Sequence, residues 1–355
     1  MFEIDSIPIG TNHKPYIIAE LSANHGGSID AAKEAITSAK KCGASAVKIQ
    51  SYTPETITLN SDKPDFIIKE GIWSGYTLHD LYTKAHTPFE WHAELFKFAA
   101  DINITIFSSP FDDTAIDLLM SLDAPAYKIA SFEIVDLALI KRAAECKKPL
   151  LISTGMASLE EISEALNVAI KYGSGDVMLL HCVSSYPAKT SEYQLNNISF
   201  LKSEFGVEVG LSDHSLSNIA AVTSIGLGAV AIEKHFKLSD KSESLDASFS
   251  LEPKKFITLV EDCNEAWKAK GTADFNRPKI ERVALSHRRS LYFTKDLRSG
   301  SVITENDIKS IRPGYGAKPK FLEFFLGEKL NTNVERGDPV SFEIINKKFQ
   351  SQVEK

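Results

Sequence analysis

Eight short β-rich apolar runs recur through the first 240 residues, each divided from the next by a longer stretch with helical periodicity. The runs are 16–21, 46–52, 104–109, 126–131, 150–154, 177–183, 207–214 and 229–236. Between them, Leu159, Ile162, Leu166 and Ala169 recur at helical spacing, and Ser158 with Glu161 reads as a capping box. Thr87-Pro88-Phe89-Glu90 reads as a second helix start, with proline at the first helical position. Strands alternating with helices make parallel sheets, because a parallel pair needs a crossover connection. Eight such units predict a closed (β/α)8 TIM barrel with its chemistry at the C-terminal strand ends. The rival is a doubly wound open sheet. No GxGxxG follows the first run, which weakens its dinucleotide-binding form.

The 355 residues exceed one barrel of this size, so a small second domain is expected. Residues 268–282 read as a polar connector holding Gly271 and Pro278. Beyond it, 290–294, 301–303, 309–311 and 340–345 are strand-like pieces separated by turn signals at Arg298-Ser299-Gly300, Pro313-Gly314 and Arg336-Gly337-Asp338. The expected division is a barrel over 1–268, a linker over 269–288 and a small β-rich domain over 289–350. A formal net charge of -7 argues against a general nucleic-acid or membrane-surface partner, since both need excess basic charge. The four cysteines are scattered without a CxxC pair, so no disulfide framework or zinc knuckle is indicated. No basic stretch with an apolar core opens the chain, and no run approaches about 18 apolar residues. The default expectation is a cytoplasmic location.

Polar residues fall at nearly every strand end: Glu20; Lys48 and Gln50; Ser108-Ser109; Lys128 and Ser131, then Glu133; Ser153-Thr154; His181; Ser212-Asp213-His214; Glu233-Lys234-His235. Residues two apart on a strand share a face. His214 and His235, on neighbouring strands 7 and 8, therefore converge if they point inward, with Glu233 beside them. Imidazoles suit Mn, Fe, Co or Zn. A lone histidine is more often a structural residue; two on adjacent strand ends tip the balance towards a divalent-metal site, and His181 lacks such a companion. Lys48 and Lys128 sit inside apolar runs, and lysine is almost never buried unpaired. Each needs an anion: Glu20, Glu133 or Glu233 in a salt bridge, or a bound phosphate or carboxylate, with serines 109, 131, 153 and 212 as further donors. A lysine imine is a third possibility. Glu133, just past its strand, is a candidate general base.

These residues lie in AELSANHGG (19–27), VKIQSY (47–52), FSSPFD (107–112), AYKIASFE (126–133), STGM (153–156), GLSDHS (210–215) and IEKHF (232–236). Together the segments resemble the sialic acid synthase family, enzymes that join phosphoenolpyruvate to an amino sugar to make nine-carbon 2-keto acids. IRPGYG (311–316) and RGD (336–338) resemble that family's antifreeze-like SAF domain. The opening AELSANH, with 65–82 and 86–92, looks like the pseudaminic acid branch, and residues 73–91 would form a substrate-covering loop. Ser184 stands in HCVSSYP where sialic acid synthases proper tend to carry Asn, which speaks for a sugar other than N-acetylmannosamine.

The resemblance implies roles. A divalent cation, Mn or Mg, would be held by His214 and His235, with His235 counted as catalytic. Glu133 would handle protons and Glu20 orient substrate. Lys48, Lys128, Ser131, Ser153 and Ser212 would hold phosphoenolpyruvate, with Gln50, Ser109 and Phe111 as further substrate contacts. Tyr186, Asp246 and Glu233 would hold sugar hydroxyls or metal-bound water. Arg312 would reach from the SAF domain into a partner subunit's site, making a domain-swapped homodimer. The alternatives are a synthase for N-acetylneuraminic or legionaminic acid, a barrel aldolase working through an imine, and a non-catalytic carbohydrate-binding protein.

Overall fold

The structure, a computed structural model, describes residues 2–239, 243–276 and 278–346. The chain divides into two compact units, Met1–Gly271 and Thr272–Lys355. In the first, eight parallel strands close into a barrel: β1 (Tyr16–Glu20), β2 (Ala46–Ser51), β3 (Thr105–Pro110), β4 (Tyr127–Ile129), β5 (Leu150–Ser153), β6 (Val177–Cys182), β7 (Glu208–Asp213) and β8 (Ala231–His235). Each pairs with its sequence neighbours, and β8 pairs with β1 to close the ring. A helix follows every strand: α1 (Ile29–Lys41), α2 (Phe89–Asp101), α3 (Asp113–Ser121), α4 (Leu137–Glu145), α5 (Leu159–Tyr172), α6 (Asn197–Phe205), α7 (Ile219–Gly226) and α8 (Pro253–Lys270). No helix among the described residues is long and apolar enough to cross a membrane.

Strand alternation sorts the side chains into two layers. Ile17, Val47, Ile49, Ile106, Ile129, Ile152, Leu179, Val209 and Ile232 face the helices in one continuous core. Tyr16, Ile18, Ala46, Phe107, Leu151, Met178 and Leu180 fill the barrel interior. There they pack with Phe2, Ile4 and Ile9 of the N-terminal hairpin, Glu3–Ile4 with Ile7–Pro8. Gly210 is required where it stands. A Cβ there would lie 2.7 Å from the Ala231 carbonyl oxygen and 2.7 Å from Leu180 Cδ2.

Side-chain caps start α1, α3, α4 and α5, with Ser28, Asp112, Asp136 and Ser158 accepting from the first turn. The Ser158–Glu161 capping box is complete. Pro88, expected as the first helical residue, is instead the N-cap of α2, which begins one position later at Phe89. The connection after β2 carries its own structure, the helices Pro54–Ile57 and Leu78–Ala85 with a bridge between Ile67 and Thr77.

The second unit contains β9 (Ser290–Phe293) antiparallel to β10 (Ile308–Ile311) over a core of Leu291, Phe293, Ile303, Ile308, Phe325, Leu330 and Val340. Three expectations need correction. Residues 301–303 form no strand, only the isolated bridge of Val302 with Lys329. Residues 340–345 are not one strand: Phe342–Ile344 is a 3-10 turn flanked by the isolated bridges Tyr292–Pro339 and Leu330–Ile345. Asn331 bonds the carbonyls of Glu343 and Ile344, which holds the turn shut. Nor is 268–282 wholly a connector. α8 continues to Lys270, and Lys279–Ala284 is helical behind Pro278.

Candidate active site

The inward faces that are apolar in the lower barrel turn polar at the C-terminal end. Glu20 lies beside Lys48 in register, and His235 beside Glu20. Lys48 Nζ is 2.7 Å from Glu20 Oε2, 3.2 Å from Ser109 Oγ and 3.8 Å from Glu233 Oε2. Lys128 Nζ donates to Glu233 Oε1 at 3.0 Å, and Ser212 Oγ donates to the same oxygen at 3.1 Å. Gln50 Nε2 donates to Glu20 Oε1 at 2.9 Å and to Ser22 Oγ at 3.1 Å. Both lysines and both glutamates are buried. Isolated charges there would be prohibitive, and the alternation of signs makes the group tolerable. Burial raises the Glu20 carboxyl; Lys48 opposes this and Glu233 adds to it. Burial works in the same direction on Glu233, but Lys128 and Lys48 outweigh it and hold that carboxyl below its ordinary range. Lys128 is raised: burial favours its neutral form, and Glu233, Cys182 and Glu20 together overcome that.

Glu133 differs from these. It ends the 3-10 turn Ser131–Glu133 that follows β4, and its Oε2 is buried without a hydrogen-bond partner among the described residues. Burial lifts its pKa from 4.5 to about 7, with Lys128 pulling back only in part. Ser153 Oγ is another buried polar atom without a partner among the described residues. Gly155 lies against two other serines, since a Cβ there would sit 2.3 Å from Ser184 Oγ and 2.7 Å from Ser131 Oγ.

The His214 and His235 rings lie 5.4 Å apart. His214 Nδ1 is 3.0 Å from the Val183 carbonyl oxygen, which needs a donor, so in the neutral ring Nε2 carries the free lone pair. His235 Nδ1 is buried with no partner among the described residues, and burial, then His214, keeps its pKa well below normal. A neutral imidazole is the metal-binding form. Among the described residues no group of three or more His, Cys, Asp or Glu side chains could hold a metal ion. The unpartnered His235 Nδ1 and the Nε2 of His214 are the two imidazole donors that a divalent ion would use here, its other positions left to substrate or water.

An aromatic wall stands beside this pair. Tyr186 is 4.5 Å from the His214 ring, Phe249 is 4.8 Å from the His235 ring and 5.2 Å from Tyr186. Trp73, from the connection after β2, reaches both aromatics at 5.7 and 6.0 Å and donates Nε1–H to the Leu245 carbonyl. Asp246 is buried there, accepting from the Ala23 N–H, and burial raises its carboxyl. Phe111 packs edge-on against Tyr52 at 5.1 Å, farther round the rim.

Sequence reasoning passed over some residues. On β6 the inward positions are Met178, Leu180 and Cys182, so His181 is on the opposite face, bonded to the Tyr193 carbonyl. Cys182, at 3.9 Å from His214 Nδ1, takes the rim position; burial would raise its thiol, but His214 with Ser131 and Lys128 together outweigh it and bring the value to about 7. Counting by two from Ser184 would have found it. Asn24, which donates to the Phe236 carbonyl and Ser250 Oγ and so ties the 244–250 segment to β1, had no local signal. Arg312 is in the second unit and exposed, just after β10.

A closed parallel barrel with a buried ion network, a raised carboxyl and an imidazole pair at its C-terminal rim has the make-up of a barrel enzyme's site. The chain belongs to the NeuB family, which it matches over residues 35–275, and it matches the SAF domain over 288–344. It is 44% identical to the pseudaminic acid synthase of Campylobacter jejuni, covering 92% of this chain and 96% of that protein. The N,N'-diacetyllegionaminic acid synthase of Legionella pneumophila is 31% identical, with 95% and 96% covered. Among solved structures, the N-acetylneuraminic acid synthetase of Leptospira borgpetersenii in complex with citrate superposes with a TM-score of 0.72 at 29% identity, over 80% of this chain and 94% of that one.

Proposed function

We propose that the chain is a synthase that condenses phosphoenolpyruvate with 2,4-diacetamido-2,4,6-trideoxy-L-altrose and water, yielding pseudaminic acid and phosphate. The observation that carries this is the cradle itself: two buried lysines and four serines beside a raised carboxyl and two imidazoles. The greater identity to the pseudaminic than to the legionaminic acid synthase supports the choice of sugar.

Lys48, Lys128, Ser131, Ser153 and Ser212 hold the carboxylate and phosphate of phosphoenolpyruvate, with Ser109 and Gln50 behind them. A divalent cation, Mn or Mg, bound by His214 and His235 would supply Lewis acidity towards a substrate carbonyl. Glu20 and Asp246 orient sugar hydroxyls, and Tyr186, Phe249 and Trp73 give the acetamido sugar an apolar wall. Carbon 3 of phosphoenolpyruvate forms the new bond to the sugar's carbonyl carbon. Water adds at carbon 2, and the tetrahedral intermediate loses phosphate by C–O cleavage. Glu133 takes a proton from the adding water, and its acid form returns it to the former carbonyl oxygen of the sugar, which becomes a hydroxyl. The second water proton leaves the oxygen on carbon 2 as the keto group forms and goes to the departing phosphate. The lysines then act as anion ligands, not as imine formers.

Phosphate release with phosphoenolpyruvate and a panel of acetamido sugars, with and without Mn or Mg, tests the whole reading. Turnover is expected with the altro-configured diacetamido sugar; preference for N-acetylmannosamine or the legionaminic precursor would overturn it. The same reading includes a cytoplasmic homodimer in which Arg312 contacts the partner's sugar. Arg312→Ala should then raise the KM for sugar at least about tenfold, the loss of one charge-assisted bond, with KM for phosphoenolpyruvate nearly constant. Equal loss on both substrates would sink the role.

A further inference from the structure

The outward positions of β7 and β8, which alternate with the site residues, carry a second polar cluster on the helix side of the barrel wall. Asp213 and Lys234 are cross-strand neighbours, and both side chains are 0% exposed. Asp213 Oδ2 accepts from Lys234 Nζ at 2.7 Å, and Oδ1 accepts from the Tyr193 hydroxyl and the Ser215 N–H, both at 2.8 Å. Lys234 also donates to the carbonyls of Ser215 and Ser217. The Tyr193 hydroxyl in turn accepts the backbone N–H of His214 at 2.7 Å. Tyr193 is itself braced by His181, whose Nε2 is 2.5 Å from its carbonyl oxygen. The Ala188 N–H closes the other side on the His214 carbonyl at 3.1 Å.

Stability alone does not account for this cluster. A buried ion pair returns little net free energy, and apolar residues of similar volume commonly do as well or better. What the bonds share is their target: each ends on the 213–217 segment or on Tyr193, which grips it. Their combined effect is to fix the backbone on both sides of one side chain, His214. We propose that Tyr193, Asp213 and Lys234 are positioning residues, a buried brace behind the barrel wall that holds the His214 imidazole in the orientation a divalent ion requires. This rests on the reading that His214 and His235 hold that ion. Groups that orient metal-ligating histidines from behind typically contribute about 10–100-fold to metal affinity.

The test is direct binding of Mn(II) to the full-length protein without substrate, read from the loss of the free-ion electron paramagnetic resonance signal. Tyr193→Phe keeps the ring and removes the hydroxyl that joins Asp213 to the His214 N–H. Its Mn(II) affinity is expected to fall about tenfold, while the KM for phosphoenolpyruvate, whose proposed ligands other than Ser212 stand on other strands, is nearly unchanged. Ser51→Ala is the control. It removes an equally buried pair of bonds, to His92 at 2.7 Å and Ser108 at 2.6 Å, from the wall at β2 and β3, and should leave Mn(II) affinity intact. Unchanged affinity in Tyr193→Phe, or an equal fall in Ser51→Ala, overturns the brace. His235→Ala separates the two levels. If it binds Mn(II) normally the metal reading itself fails, whereas its loss of binding beside an unaffected Tyr193→Phe removes only the brace. Should Tyr193→Phe not fold, Asp213→Asn serves with the same expected fall.

Discussion

Glu133→Gln is expected to lower kcat by about a hundredfold to ten-thousandfold, the usual contribution of a positioned acid–base group, while making the protein more stable above neutral pH. The two effects share one cause. Glu133 ends the turn after β4 with an oxygen that no group among the described residues satisfies, and burial lifts its pKa to about 7. A carboxyl so placed is half ionised near neutrality, and can both take and give a proton. The folded value lies above the unfolded one, so the folded state binds the proton more tightly. Its destabilising effect therefore grows as pH rises from 4.5 to 7 and is constant above that. The full shift corresponds to about 3 kcal/mol. Gln keeps the shape and removes the charge. Melting temperatures at pH 8 should thus rise by several degrees in the variant and differ little at pH 5. The kcat profile of the unsubstituted enzyme should show an ionisation near 7 that the variant lacks. An inactive variant with no stability gain at pH 8 would mean the carboxyl is already satisfied, and a fully active one would remove it from proton transfer.

The barrel was legible because its physics is local and periodic. Apolar runs of strand length, crossover-length spacing and period-two alternation are all written in short windows, so each predicted run lies within two residues of the strand observed. The same alternation exposed Lys48, Lys128, Glu233 and His235, since a charged residue two steps beyond a core residue must face the interior. It misled only where chemistry was preferred to parity: His181 attracted notice as a histidine, while Cys182 held the inward position. Partnerships were not legible. Lys128 meets Glu233 across 105 residues and Asn24 meets Ser250 across 226, and no window contains both members. The short pieces of the second unit failed for a related reason. Residues 340–345 alternate like a strand, but Asn331, a residue distant in sequence, decides that they turn.

Glu233→Gln is expected to destabilise the fold by about 3–5 kcal/mol, the typical result of removing one partner of a buried ion pair, and to make stability depend strongly on added anion. Glu233 is the counterion of Lys128 at 3.0 Å and a more distant one of Lys48 at 3.8 Å. Lys48 keeps Glu20 at 2.7 Å in the variant; among the described residues Lys128 keeps no carboxylate in ion-pair contact. Because the folded Glu233 carboxyl is held below its unfolded value, the pair's contribution is complete above pH 4.5 and disappears only as pH falls through that lower value. The substitution should therefore do at neutral pH what strong acid does to the unsubstituted chain. If Lys128 is a ligand for the phosphate or carboxylate of phosphoenolpyruvate, that anion restores the missing charge. Phosphoenolpyruvate should then raise the melting temperature of Glu233→Gln more than that of the unsubstituted protein, in which the substrate must share Lys128 with a carboxylate already present. Equal shifts in the two proteins would place Glu233 with the sugar and not with the anion cradle. A larger shift for the variant with sugar alone would exchange the two halves of the proposed site.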